Sequence, residues 1–227
     1  MELLARTLQG VLQDIENAAL LAGRPRGVRL LAVSKTRPPE AVRGLAAAGQ
    51  RAFGENYVQE GLAKIQALAD LALEWHLIGH LQSNKAALAA RHFDWVQSLD
   101  RTRLVAALDR ARPPDRPPLN VLIQVNVDAE AGKSGCRPGE VDALAEAVAA
   151  APRLRLRGLM AIPEPHPDPE RRRASFRALR ERYEALAARY PGVDTLSMGM
   201  SEDFALAIAE GSTLVRIGTA LFGPRGR

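Results

Sequence analysis

The apolar positions of this chain change period repeatedly, and the changes mark its elements. Near the N-terminus Leu4, Leu8, Val11, Leu12 and Ile15 recur at helical spacing, which predicts a helix burying one stripe. Short apolar runs follow, each succeeded by an Ala-rich stretch of helical period. Residues 30–34 (LLAVS) read as a buried strand, after which Pro38 and Pro39 open a helix reaching about Ala48. Further strands are predicted over 51–54, 74–78, 94–99, 119–127, 154–162, 194–198 and 213–217. Helices are predicted over 57–69, 83–90, 101–111, 138–150 and 202–210, with another from the loop PEPHPDP (163–169) to Tyr190. The stretch RPPDRPP (112–118) has the composition of a linker, yet the alternation continues through it, so one domain over residues 1–227 is expected.

Eight β-then-α units without a hairpin signal imply parallel strands joined by helical crossovers. Eight such units close naturally into an α/β fold of the TIM type, a (β/α)8 barrel, here with an extra N-terminal helix. A doubly wound open sheet is the alternative. It would carry a glycine fingerprint after the first strand, where this chain has Ser34-Lys35-Thr36-Arg37-Pro38.

Composition narrows the function classes. A single cysteine, Cys136, cannot form an internal disulfide, which fits a reducing cytoplasm. No apolar run approaches the roughly 18 residues needed to span a bilayer. Asp14 and Glu16 interrupt the N-terminal stretch, so it does not read as a signal peptide. The net charge of +5 is carried by arginine, since lysine occurs only at 35, 64, 85 and 133. The run Arg171-Arg172-Arg173 with Arg177, Arg180 and Arg182 lacks interleaved aromatics and reads as a solvated helix face rather than a nucleic-acid stripe.

In a barrel, chemistry sits at the C-terminal ends of the strands. Those ends hold Lys35, Asn56, His80, Asn126, Met160, Ser201 and the run Arg216-Ile217-Gly218-Thr219. Lys35 follows an apolar strand, where burial would lower its amine pKa and make it nucleophilic toward carbonyl compounds. Lys64 in a polar-faced helix, Lys85 in a first turn and Lys133 in a Gly-flanked loop are weaker candidates. Barrels often bind phosphate after strands seven and eight. Here Ser201 is placed to cap the helix predicted at 202–210, and Gly218-Thr219 offers close backbone approach plus a hydroxyl. A lysine on strand one beside such a cup suits an aldehyde phosphate: pyridoxal 5′-phosphate (PLP) or an aldolase's sugar phosphate.

The segments LAVSKTRP (31–38), FGENYVQE (53–60), WHLIGHLQSNK (75–85), GLMAI (158–162), LSMGMSEDF (196–204) and VRIGTALFG (215–223) closely resemble the pyridoxal phosphate homeostasis proteins, nearly end to end. The resemblance implies the barrel of the alanine racemase N-terminal domain and decides for PLP. It matches Lys35 to the lysine that holds PLP as an aldimine. Ser201, Gly218 and Thr219 match the phosphate ligands, and Asn56, His80 and Met198 join the cofactor-binding set. Arg216 matches the arginine that faces the pyridine nitrogen in alanine racemases.

Three other signals are set aside. His76 and His80 are four apart on a strand running into a loop, hence about 13 Å apart and too far for one metal ion. Gly132-Lys133-Ser134 lacks the earlier glycine of a phosphate loop, since Val127 stands there. Cys136 has no activating histidine beside it and reads as inert.

Two functions remain. A carrier would hold PLP and serve vitamin B6 and amino-acid homeostasis without turnover, with apo PLP-dependent enzymes as recipients. The alternative is a single-domain amino-acid racemase. Alanine racemases take a second catalytic base, a tyrosine, from a C-terminal β-domain, whereas this chain ends at Arg227 and has only Tyr57, Tyr183 and Tyr190. The carrier is therefore expected, as a cytoplasmic monomer with no nucleic-acid or membrane partner.

Overall fold

The computed structural model describes residues 2–24, 27–130 and 132–223, and its eight strands pair in parallel and in chain order to form a closed barrel. The strands are β1 (Arg29–Val33), β2 (Ala52–Glu55), β3 (Glu74–Leu77), β4 (Trp95–Leu99), β5 (Leu119–Gln124), β6 (Leu154–Met160), β7 (Thr195–Met200) and β8 (Leu214–Ile217). Closure runs through β1 and β8, with Leu31 opposite Arg216 and Ala32 opposite Ile217. Helix α1 (Glu2–Leu21) precedes the barrel and buries Leu8, Val11, Ile15 and Ala19. The crossovers are α2 (Pro39–Ala47), α3 (Val58–Ala67), α4 (Ala86–His92), α5 (Thr102–Ala111), α6 (Val141–Ala149), α7 (Pro169–Arg189) and α8 (Phe204–Ala209).

The pleat sorts the strand side chains. Phe53, Leu77, Val96, Val121, Ile123, Leu159, Leu196 and Val215 belong to the large core beneath the helices. The alternate residues form two small apolar clusters, Leu31, Ala52, Ile78 and Leu214 on one side and Trp95, Leu122 and Met160 on the other. Other inward positions are polar, among them His76, Gln97, Ser197 and Arg216.

Several details depart from the sequence expectations, four of them instructive. Strand β2 runs one residue further, to Glu55, whose side chain is fully buried. The strand predicted to 127 ends at Gln124, because the chain turns back and Val125 bridges Cys136. After β8 a helix α9 (Thr219–Phe222) follows, four residues being too few to show a period. The arginines of α7 are not simply a solvated face: Arg173, Arg177 and Arg180 converge on the buried Glu210 at 3.2–3.3 Å.

The proline-rich connection after α5 is anchored by its first residue. Arg112 is buried, its Nη1 donating to the carbonyls of Ala90 and Phe93 and its Nε to that of Pro117, each at 2.8 Å. Truncating it leaves three carbonyls without their donor. Arg112→Ala is expected to destabilise the protein by about 2–4 kcal/mol. Urea unfolding checks this, and a midpoint equal to wild type would show that the connection is not held this way.

Candidate functional site

The barrel interior is crossed by one directional run of hydrogen bonds. Near the top, Arg216 Nη1 donates to Ser197 Oγ at 2.7 Å and to the Ser197 carbonyl at 2.8 Å, while Nη2 donates to the Ala161 carbonyl at 2.7 Å. Ser197 Oγ donates to Gln97 Oε1 at 2.7 Å, and Gln97 Nε2 donates to His76 Nδ1 at 2.9 Å. That last bond fixes the tautomer, so Nε2 carries the His76 proton and donates to Glu74 at 2.7 Å. Arg29 closes the run on the same carboxylate at 2.6 Å. Burial holds the His76 imidazole below its usual pKa, consistent with a neutral ring, which stacks on Trp95. Burial also lowers the Arg216 guanidinium to about 10, which leaves it cationic at neutral pH.

Above this run lies a cavity of about 630 Å³, within the range of small-molecule sites. Its wall is assembled from the C-terminal ends of the strands: Lys35 after β1, Asn56 after β2, Gly79 and His80 after β3, Gln124 from β5, Ser201 after β7, and Arg216, Gly218 and Thr219 from and after β8. Two glycines bring the rim together. A Cβ on Gly79 would lie 2.2 Å from the Asn56 carbonyl oxygen, so only glycine lets the ends of β2 and β3 touch. A Cβ on Gly218 would lie 3.2 Å from the Val33 carbonyl oxygen, so Gly218 packs directly against the strand that ends beside Lys35.

Around Lys35 the backbone is tethered on both sides. Ser34 Oγ donates to Glu55 Oε1 at 2.6 Å, and the Thr36 N–H donates to Glu60 Oε1 at 2.6 Å. Lys64 Nζ, buried against both carboxylates, also donates to the Ser34 carbonyl at 2.7 Å. Burial raises the Glu55 pKa, an effect opposed by its bonds from Lys64 and Ser34. The sequence reading placed Lys64 on a polar helix face. It instead points inward, and ion pairing occupies the amine.

Seven of the expected residues, Lys35, Asn56, His80, Ser201, Arg216, Gly218 and Thr219, line the cavity. Met198 does not. It is fully buried in the outer core, because its place in the pleat directs it away from the barrel interior. Ser201 is not the cap of α8. That helix begins at Phe204, with Asp203 as its N-cap, and Ser201 sits in the preceding turn. Met160 lies in the interior cluster with Trp95 and Leu122. Asn126 shapes the loop after β5, its Nδ2 donating to the Glu130 carbonyl at 2.8 Å and its Oδ1 accepting from the Glu130 N–H at 3.1 Å. That loop turns Lys133 and Ser134 into the cavity wall, where Lys133 pairs with Glu130 and Ser134 Oγ lies 3.2 Å from His80 Nδ1. Sequence reasoning missed Gln97, Ser197, Glu55 and Arg172. The last lines the cavity from the first turns of α7.

The donor set fits an anionic carbonyl ligand. It includes the Lys35 amine, the hydroxyls of Ser201 and Thr219, the Asn56 amide and the buried Arg216 guanidinium, with the carboxylates of Glu202 and Asp203 also in the wall. No carboxylate lies within ion-pair distance of Arg216 among the described residues. His76 is enclosed while His80 is exposed at the rim, and no group of three or more metal-ligating side chains is found among the described residues. No described helix is long and apolar enough to cross a membrane.

The alanine racemase N-terminal domain family matches residues 11–226. The pyridoxal phosphate homeostasis protein of Pseudomonas aeruginosa is 55% identical over 226 residues, covering 99% of this chain and 97% of its own. That of Escherichia coli K12 is 53% identical over 226 residues, covering 98% and 97%. The structure of PipY from Synechococcus elongatus with PLP bound superposes with a TM-score of 0.81 at 38% identity, covering 97% of this chain and 100% of that one.

Cys136, at the end of the loop bordering the cavity, offers a test of the packing there. Burial pushes its thiol up to about 12, so the reactive thiolate is scarce below that pH. A disulfide reagent at pH 8 is expected to modify the native protein far more slowly than the urea-unfolded chain. Equal rates would show that the loop does not enclose the thiol.

Proposed function

This chain belongs to the pyridoxal phosphate homeostasis proteins of the alanine racemase N-terminal domain family, and we propose that it holds PLP as a Schiff base on Lys35 and releases it without turning over amino acids. The observation that carries this reading is the meeting of Lys35 with Ser201, Gly218 and Thr219 in one cavity wall. An amine there would reach a carbonyl carbon while the hydroxyls of Ser201 and Thr219, and backbone N–H groups beside them, hold a phosphate. Asn56 and His80 would flank the ring. Bound PLP supplies an aldehyde for imine formation and an electron sink, and the protein decides how far the sink is used. Arg216 would face the ring nitrogen as a fixed cation, its two terminal nitrogens already committed to Ser197 and Ala161. A cation there disfavours protonation of the ring nitrogen and weakens the sink.

The cavity also supports a carrier rather than a racemase. Among its described lining residues there is no tyrosine. Tyr57 is 65% exposed, and Tyr183 and Tyr190 pack with α7 against the outer core. Two acids also line the cavity: Asp203, which accepts the Met200 N–H at 2.7 Å, and its neighbour Glu202. On this reading the protein works in the cytoplasm as a monomer, contributes to vitamin B6 and amino-acid homeostasis, and gives PLP to apo PLP-dependent enzymes. The test is incubation of the PLP-loaded protein with L-alanine or L-serine in deuterated water. No catalytic Cα exchange, racemisation or keto-acid release is expected. Multiple-turnover racemisation would overturn the carrier and establish the racemase.

A further inference from the structure

We propose that Glu60, together with Lys64 and Glu55, forms a positioning clamp that aims Lys35 into the cavity. This rests on the reading of Lys35 as the PLP lysine. Glu55, Glu60 and Lys64 are not among the residues that line the cavity.

Lys35 is flanked by two residues that are both drawn outward. Ser34 is held twice, through its hydroxyl to Glu55 and through its carbonyl to Lys64, and Thr36 is held through its N–H to Glu60. Lys35 sits between them in the turn that follows β1, and its side chain lines the cavity. Thr36 adopts a φ of 63°, a left-handed conformation uncommon for a β-branched residue, and the Arg37 N–H closes the turn on the Ser34 carbonyl at 3.0 Å. A left-handed residue of this kind persists where its surroundings over-determine it. The charged acceptor on the Thr36 N–H supplies that determination.

The chemistry of the clamp points the same way. Lys64 has an acceptor for each of its three protons, Glu55 and Glu60 at 2.8 Å each and the Ser34 carbonyl at 2.7 Å. The side chains of Lys64 and Glu55 are 4% and 0% exposed, and Glu55 Oε2 has no partner. A buried ion pair with an orphaned oxygen is a poor device for stability, since apolar side chains of similar size serve as well or better. Apolar side chains could not accept the Thr36 N–H or donate to the Ser34 carbonyl. Holding Lys35 at a fixed attack geometry is what this arrangement adds.

Glu60 is the residue to change, because its side chain is 29% exposed and Lys64 keeps Glu55 and the Ser34 carbonyl as acceptors without it. Glu60→Ala removes the acceptor for Thr36, whereas Glu60→Gln keeps one. Two quantities are compared. The first is the rate at which PLP forms a borohydride-trappable imine on Lys35, followed by peptide mapping. The second is the affinity for pyridoxine 5′-phosphate, which has the ring and phosphate but no carbonyl. Glu60→Ala is expected to slow imine formation by about tenfold, and Glu60→Gln to recover most of the rate. Pyridoxine 5′-phosphate affinity should stay within about twofold of wild type in both, because the phosphate and ring contacts are untouched. A wild-type rate in Glu60→Ala, a parallel loss of both quantities, or no recovery in Glu60→Gln would each overturn the clamp. An adduct in the wild-type protein that maps away from Lys35 would instead overturn the reading of Lys35, and the clamp with it.

Discussion

Arg216 is 3% exposed inside a parallel barrel, and no described carboxylate lies within ion-pair distance of it. Burying a guanidinium is costly unless its protons are met. Here the carbonyls of Ala161 and Ser197 and the Ser197 hydroxyl accept from its two terminal nitrogens, and that hydroxyl passes the polarity on through Gln97 and His76 to Glu74. Each group donates to the next, so a single arrangement of protons satisfies the whole run. That requirement accounts for the polar interior of a barrel whose inward positions could otherwise have been filled by branched apolar residues. It also gives the cavity a rigid cationic floor on which a ligand's orientation can be set.

The walls answer to a second constraint, the short distance between neighbouring strand ends. Gly79 and Gly218 let β2 meet β3 and β8 meet β1, which draws Asn56, Lys35 and Thr219 around one volume. The loop after β5 is folded back by Asn126 and by the Val125–Cys136 bridge, and it closes another side with Lys133 and Ser134. Below Lys35 the ionic cluster of Glu55, Glu60 and Lys64 fixes the turn where strand becomes loop. The site is thus built from main-chain geometry first, with the reactive side chains placed by it.

Much of this was legible in the sequence. The alternation of short apolar runs with Ala-rich stretches carried eight strands and their crossovers, because buried parallel strands and amphipathic helices leave different periods. That Lys35, Ser201, Gly218 and Thr219 would line one cavity was legible because they stand at or just after strand ends. What was hidden depended on direction or on distant partners. Gln97 and Ser197 look like ordinary strand residues until closure brings them within 2.7 Å of each other across 100 positions. Lys64 has the composition of a solvated helix face, and only its packing against Glu55 turns it inward. Met198 neighbours the site in sequence, yet it lies in the outer core. The start of α8 slipped past Ser201, since a turn and a first helical turn use the same polar residues.

The central claim is that Lys35 is the amine that holds PLP. The direct measurement is borohydride reduction of the protein after incubation with PLP, followed by peptide mapping of the pyridoxyl adduct. A visible absorption band lost on reduction and a stable adduct on Lys35 are expected. An adduct confined to Lys64, Lys85 or Lys133 would contradict it.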